Sequence, residues 1–172
     1  MQLFIIIINN LILYPITLIA FNRPYHTYKT LNFLSRNTEA KSSELFVFID
    51  GPKNELDILK IYQTEKVIKG FKDNFKRILI TRSTSNKGLA LNVIDGISEV
   101  LKEYEATIVL EDDIETSESF LYYMNSSLNE FKDKKKVWHI SGYNVPINLN
   151  YSNKDTFFIR VMFCWGWATW RD

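Results

Sequence analysis

The run Thr107-Ile108-Val109-Leu110-Glu111-Asp112-Asp113 constrains this chain more than any other feature. Ile, Val and Leu in succession suit a strand buried on both faces, as in the middle of a parallel sheet. Three carboxylates then end it abruptly. In open α/β sheets, ligands bind outside the carboxyl ends of the strands. Adjacent acids there repel one another, so a site built on them wants a cation, Mg²⁺ or Mn²⁺ bridging to a phosphate. The plainer reading is a solvated acidic turn that opens the next helix.

The rest of the sequence alternates in a way that suits such a sheet. Ile16–Phe21, Leu45–Ile49, Arg77–Thr81, Thr107–Leu110 and Val137–Ile140 read as strands. Tyr25–Ser35, Glu55–Phe71, Leu89–Tyr104 and Ser119–Phe131 read as helices. The second helix carries Leu56, Leu59, Val67, Ile68 and Phe71 at roughly helical spacing. The third carries Leu89, Val93, Ile97, Val100 and Leu101 on its apolar side. Strand–helix alternation predicts a mainly parallel central sheet with helices on both faces. Asn144–Asp155 is polar and reads as a loop, and Tyr151–Trp170 fits no element.

Composition bounds the function. The chain has 172 residues, 46% of them hydrophobic, which is ample for one domain. Lys and Arg number 21 against 20 Asp and Glu, so there is no basic excess of the kind nucleic-acid binding needs. The single cysteine, Cys164, excludes an internal disulfide and a cysteine-rich zinc site. Neither His26 nor His139 has a partner at metal-ligand spacing. Residues 1–15 are apolar but carry Asn9, Asn10 and Pro15, and no basic segment precedes them. They read as a leader or membrane-proximal segment, with the domain over 16–172. The aromatic residues Phe157, Phe158, Phe163, Trp165, Trp167 and Trp170 read mostly as core, a strand pair packed beneath the site, rather than as a stacking platform for sugars. An end so close to exposed tryptophans reads as that of a fragment, incomplete at its C-terminus.

The residues with chemistry fall at strand ends. Asn22-Arg23-Pro24 follows the first strand, Asp50-Gly51 the second, and Ser83–Gly88 the third. Glu111-Asp112-Asp113 follows the fourth and Ser141–Asn144 the fifth. A parallel sheet brings all of these to one edge. Arg23 can meet a base or a phosphate there, and Asp50 can accept a base N–H such as uracil offers. Asn86-Lys87-Gly88 opens a helix, where backbone N–H groups favour anions. No GxGxxG or GxxxxGK[ST] is present, which argues against dehydrogenases and P-loop NTPases.

The order of these motifs resembles the nucleotide-binding half of a GT-A fold glycosyltransferase. It is similar to the N-acetylglucosaminyltransferase I type and to related bacterial sugar transferases. The resemblance rests on Ile19–Pro24, Phe48–Gly51, Asn86–Asn92, Val109–Glu115, Trp138–Asn144 and Phe163–Trp167. It implies a GT-A, Rossmann-like α/β sandwich and a metal-dependent transfer of sugar from a UDP-sugar to a glycan or lipid-linked acceptor. By that likeness Asp113 is the direct Mn²⁺ or Mg²⁺ ligand, Asp112 lies near the ribose and sugar, and Glu111 faces the donor sugar or acceptor. Arg23 and Asp50 hold the uridine, Lys87 belongs to the donor loop, and Trp165 flanks the donor sugar. Asn92 falls near a helix position that approaches the donor, although its residue type departs from the pattern. The general base of such an enzyme lies beyond the Gly-Trp segment, past Asp172.

Two other readings remain at this stage. One is a non-catalytic nucleotide-sugar-binding module. The other is a sugar nucleotidyltransferase, which would show a glycine-rich basic N-terminal loop that Asn22-Arg23-Pro24 does not match. The placement expected is cytoplasmic, with peripheral association at the inner membrane face for a lipid-linked acceptor.

Overall fold

A computed structural model of the chain describes residues 11–146 and 156–171. Its centre is β1 (Ile16–Ala20), buried at every position. β1 pairs in parallel with β2 (Glu44–Ile49) on one side and with β4 (Ala106–Glu111) on the other. β2 continues the parallel set to β3 (Arg77–Arg82). β6 (Trp167–Trp170) adds to β4 in the antiparallel sense, and β5 (Ile140–Ser141) adds to β6. The sheet order is therefore β3-β2-β1-β4-β6-β5. A strand flanked on both sides and covered on both faces must be largely apolar, as β1 and β4 are, and the buried threonines Thr17 and Thr107 pair their hydroxyls at 2.8 Å.

Four helices cover the sheet: α1 (Pro24–Leu34), α2 (Glu55–Gly70), α3 (Leu89–Leu101) and α4 (Phe120–Phe131). Leu31 and Leu34 of α1, Ile61 and Ile68 of α2, and Leu121, Met124 and Leu128 of α4 share one large core with Ile16, Leu18, Ile108 and Leu110. Val100 of α3 packs on the other face against Ile19 and Phe48. Burying a Leu or Ile side chain contributes about 1.5–3 kcal/mol, so the three-helix face carries most of the apolar stabilisation. The fold class read from the sequence is the one found.

Several details differ from the sequence reading. The fifth strand is shorter and later than Val137–Ile140, because its ladder partner is β6, which the sequence did not reveal. It nonetheless runs in the same direction as β4, since two antiparallel steps restore direction, so its end does reach the common edge. On α2, Leu56 and Leu59 are exposed, at 82% and 63%. The buried stripe is instead Asp57, Ile61, Thr64 and Ile68. On α3, Leu89 is exposed and the buried stripe is Asn92, Gly96 and Val100.

Of the expected leader, residues 1–10 lie outside the described residues. Tyr14 is buried, and its N–H donates to Asn125 Oδ1 at 2.8 Å, so packing with the domain starts before β1. Most of the expected loop over 144–155 and Asp172 also fall outside. No helix among the described residues is long and apolar enough to cross a membrane.

Candidate functional site

The strand order places the acids. From β1 the chain steps outward to β2 and β3, then crosses back to lay β4 on the other side of β1. The reversal between β1 and β4 is a topological switch point, where open α/β sheets leave a crevice for ligands. Asn22-Arg23 leaves β1 at that crevice, and Glu111-Asp112-Asp113 leaves β4 there.

Local sequence fixes Arg23. Pro24 suits the first position of α1, where the missing N–H costs nothing. Arg23 precedes it, and its carbonyl accepts the Thr27 N–H at 3.0 Å and the Thr27 hydroxyl at 2.9 Å. With the backbone held, the guanidinium forks across two acids. Nη1 donates to Asp113 Oδ2 at 2.8 Å, and Nη2 donates to Asp112 Oδ1. The Asp112 side chain is almost fully buried, whereas those of Arg23 and Asp113 are 42% and 40% exposed. Asp112 Oδ2 accepts the Phe21 N–H at 3.3 Å.

The electrostatics follow from these contacts. Burial raises the pKa of Asp112, while Arg23 opposes the rise through its charge and hydrogen bond and the Phe21 amide helps. Burial also works against the Arg23 charge, but Asp112 and Asp113 outweigh it and keep the pKa of the guanidinium above its ordinary value. Glu111 lies on the opposite sheet face from Leu110, because side chains alternate along a strand. Burial, then the charges of Asp113 and Asp112, raises its pKa, which favours the neutral, protonated form of the carboxyl.

The structure puts Asp50 to a definite use. It is 4% exposed. Oδ1 accepts the N–H groups of Gly51 and Lys87 at 2.8 and 2.9 Å. Oδ2 accepts Asn86 Nδ2 at 2.8 Å and the Gly88 N–H at 2.9 Å. Four donors converge on one carboxylate, so Asp50 ties the β3–α3 loop to the end of β2. The loops meet closely, since a Cβ at Gly51 would stand 2.3 Å from the Ser85 carbonyl carbon. Lys87 turns its ammonium to Asp95 at 2.6 Å. Asn92 is buried and donates to the Phe48 carbonyl at 3.2 Å. Two of the loop amides expected to favour an anion, those of Lys87 and Gly88, are thus already paired with Asp50.

Beside Asp113 opens a cleft of about 300 Å³. Thr116, Ser117, Tyr143 and Trp165 line it with Asp113. The Tyr143 and Trp165 rings lie 4.6 Å apart, and Trp165 is 54% exposed. Phe158 is also exposed, at 74%. These two aromatics are therefore surface, where the sequence reading made most of the cluster core. Gly166 brings the chain back from the cleft into β6 with φ +69°, a conformation that favours glycine. Trp167 then stacks on His139 at 5.1 Å, and His139 Nε2 lies 2.9 Å from the Phe163 carbonyl oxygen, so His139 is a structural residue.

Sequence reasoning named no role for Thr116, Ser117 or Tyr143. Tyr143 had a signal, its place after the fifth strand. Thr116 had none: among the described residues its buried Oγ1 has no hydrogen-bond partner.

Carboxylate oxygens are the hard donors that Mg²⁺ and Mn²⁺ take. Among the described residues no three His, Cys, Asp or Glu side chains cluster as a metal cage. Asp113 is half-exposed and, among the described residues, engages only Oδ2, with Arg23, which leaves Oδ1 open to a further partner. This fits an ion held mainly by substrate phosphates, with one protein carboxylate, and does not fit an all-protein site.

No protein-family model matches the chain, and no curated protein matches its sequence. Solved structures do match its shape. Staphylococcus aureus TarS 1–349 in complex with UDP overlays with a TM-score of 0.57 at 14% identity, over 82% of this chain and 40% of that one. A second structure of TarS 1–349 gives 0.52 at 15% identity, over 80% and 40%. A 4-diphosphocytidyl-2C-methyl-D-erythritol synthase from Anaerococcus prevotii covers 92% of this chain and 70% of its own at 14% identity, but its TM-score of 0.49 is too low to bear on the fold. The chain spans about 40% of the length of the TarS structures. The likeness establishes the fold as the Rossmann-like, GT-A type of α/β domain. It does not single out the N-acetylglucosaminyltransferase I type.

Proposed function

We propose that this chain is the nucleotide-sugar-binding part of a metal-dependent glycosyltransferase that uses a UDP-sugar. One observation carries the reading: Arg23 and the acids Glu111, Asp112 and Asp113 converge at the switch point between β1 and β4, beside an aromatic cleft. A fold shared with a UDP-bound structure supports the choice of UDP.

In this reading the diphosphate lies over the β1 and β4 ends, within reach of Arg23. Asp113 would hold Mn²⁺ or Mg²⁺ through its second oxygen. When bound, a divalent cation there would supply charge neutralisation for the departing diphosphate. Asp112 holds Arg23 in place. Tyr143 and Trp165 offer ring faces to the sugar, and Glu111 orients a reacting hydroxyl. Asp50, Lys87 and Asn92 shape the β3–α3 loop from behind. The acceptor is a glycan or lipid-linked hydroxyl, and the lipid-linked case would bring the protein to a membrane face.

A thermal-shift panel of UDP, UDP-hexoses, CTP, ADP and GDP with Mn²⁺ tests this. A ligand at a hundred times its Kd stabilises the folded state by about 2.7 kcal/mol. For a domain of this size that is a rise of several degrees, at roughly 2–4 °C per kcal/mol. A rise with UDP and UDP-hexoses supports the proposal. A rise with CTP alone would favour a nucleotidyltransferase, and no rise with any would reject both.

A further inference from the structure

Among the described residues, Arg23 is the sole salt-bridge partner of Asp112 and of Asp113. Its fork spans the pair, one Nη to each carboxylate. Both oxygens of the buried Asp112 are already engaged, Oδ1 by Arg23 and Oδ2 by the Phe21 N–H. Asp113 has given Oδ2 to Arg23. The guanidinium therefore holds one oxygen of each acid and takes up the negative charge that a divalent cation would use. Asp113 keeps Oδ1 open, so the competition is for charge: a guanidinium and a divalent cation on one carboxylate repel each other in a half-buried crevice.

The same side chain can leave. Its backbone is fixed by Pro24 and Thr27, but the side chain is 42% exposed and reaches its partners from the open edge. A guanidinium binds phosphate in the same two-pronged manner as carboxylate. A diphosphate at the switch point gives Arg23 an equivalent set of acceptors and frees Asp113.

We infer that Arg23 is an internal competitor of divalent cations at Asp112 and Asp113, displaced by a diphosphate, so that nucleotide and metal bind as one coupled event. The inference rests on the proposed donor site for its trigger, but the competition itself does not need a nucleotide to be seen. The coupling works both ways: a diphosphate that removes Arg23 raises metal affinity, and metal raises diphosphate affinity by the same factor.

The test is Mn²⁺ binding followed by the free-ion electron paramagnetic resonance signal, without nucleotide, on wild type, Arg23→Gln and Arg23→Lys. Couplings of this kind are typically 5- to 150-fold. Arg23→Gln should bind Mn²⁺ about tenfold more tightly than wild type. Arg23→Lys should fall between, because one ammonium cannot bridge both acids. Adding Asp113→Ala to Arg23→Gln should remove the gain. Arg23→Gln leaves Asp112 buried without its partner and is expected to melt early, so the second readout is melting temperature, which Mn²⁺ should raise in the variant far more than in wild type. Folded Arg23→Gln and Arg23→Lys with Mn²⁺ affinity equal to or below wild type would overturn the inference. A gain of Mn²⁺ binding in the variants, with no UDP binding to wild type, would uphold the competition and reject the nucleotide reading instead.

Discussion

Asp50 Oδ2 accepts the backbone N–H of Gly88 at 2.9 Å, joining the end of β2 to the start of α3 across 38 residues of sequence. With the Lys87 N–H and Asn86 Nδ2 it makes the β3–α3 loop a fixed wall of the crevice. Each hydrogen bond to a charged group contributes about 1.5–3 kcal/mol, and buried donors left without a partner cost a similar amount. Asp50→Ala should therefore destabilise the ligand-free protein by about 3 kcal/mol or more, measured by urea unfolding. If Asp50 served only to receive a base, ligand-free stability would not change.

Gly51 tests the same contact from the other side. A methyl group there would stand 2.3 Å from the Ser85 carbonyl carbon and 2.5 Å from its oxygen, so two backbones must part. Gly51→Ala should cost about 1–3 kcal/mol, the usual range for forcing extra volume into a packed site. Hydrogen exchange should show faster exchange at Lys87 and Gly88 while β1 stays protected. Unaltered exchange in that loop would contradict the account.

The opposite edge of the sheet carries an acid-sensitive tie. Burial by itself would raise the pKa of Glu44, but hydrogen bonds from Lys76, Tyr104 and Arg77, with the charge of Arg77, bring it down to about 2. An unfolded Glu titrates near 4.3. The folded value is the lower one, so the stabilisation is fully present above about pH 4.3 and is lost as pH falls toward 2. Glu44→Gln should flatten the fall in stability over that window, as read by urea midpoints at a series of pH values. An identical acid profile in the variant would show that Glu44 contributes nothing there.

Much of this was legible in the sequence, and the gaps have physical causes. β1, β2 and β4 are apolar runs cut off by polar residues, and a run of that kind has few alternatives. A strand pair was legible in the aromatic tail, but the bounds and pairing of β6 were not, because its partners Ala106–Val109 and Ile140–Ser141 lie far away in sequence and its own residues, Trp-Ala-Thr-Trp, carry no alternation strong enough to place it. The inner face of α2 was misread for another reason. Asp57 is buried because it accepts from Asn22 Nδ2 at 2.5 Å and the Lys53 N–H at 3.0 Å, and hydrophobic periodicity does not register a buried carboxylate with fixed partners. At the site, residue types were legible and partners were not. Arg23 and Asp113 stood out separately, and only the fold shows one holding the other.

Trp165 lets the proposed sugar contact be tested apart from the nucleotide. It is 54% exposed beside Tyr143, so Trp165→Ala should change stability by less than about 1 kcal/mol. Stacking of a sugar on its ring would be lost, and affinity for UDP-hexoses should drop to that for UDP alone. Equal losses for UDP and UDP-hexoses would place Trp165 against the nucleotide.

The central claim is a diphosphate site completed by a cation on Asp113. Calorimetric titration of UDP, with and without Mn²⁺, into wild type and Asp113→Ala tests it most directly. The account predicts UDP binding that is strong with Mn²⁺, much weaker without it, and insensitive to Mn²⁺ in Asp113→Ala. Binding by wild type that ignores Mn²⁺, or by Asp113→Ala that still requires it, would contradict the account.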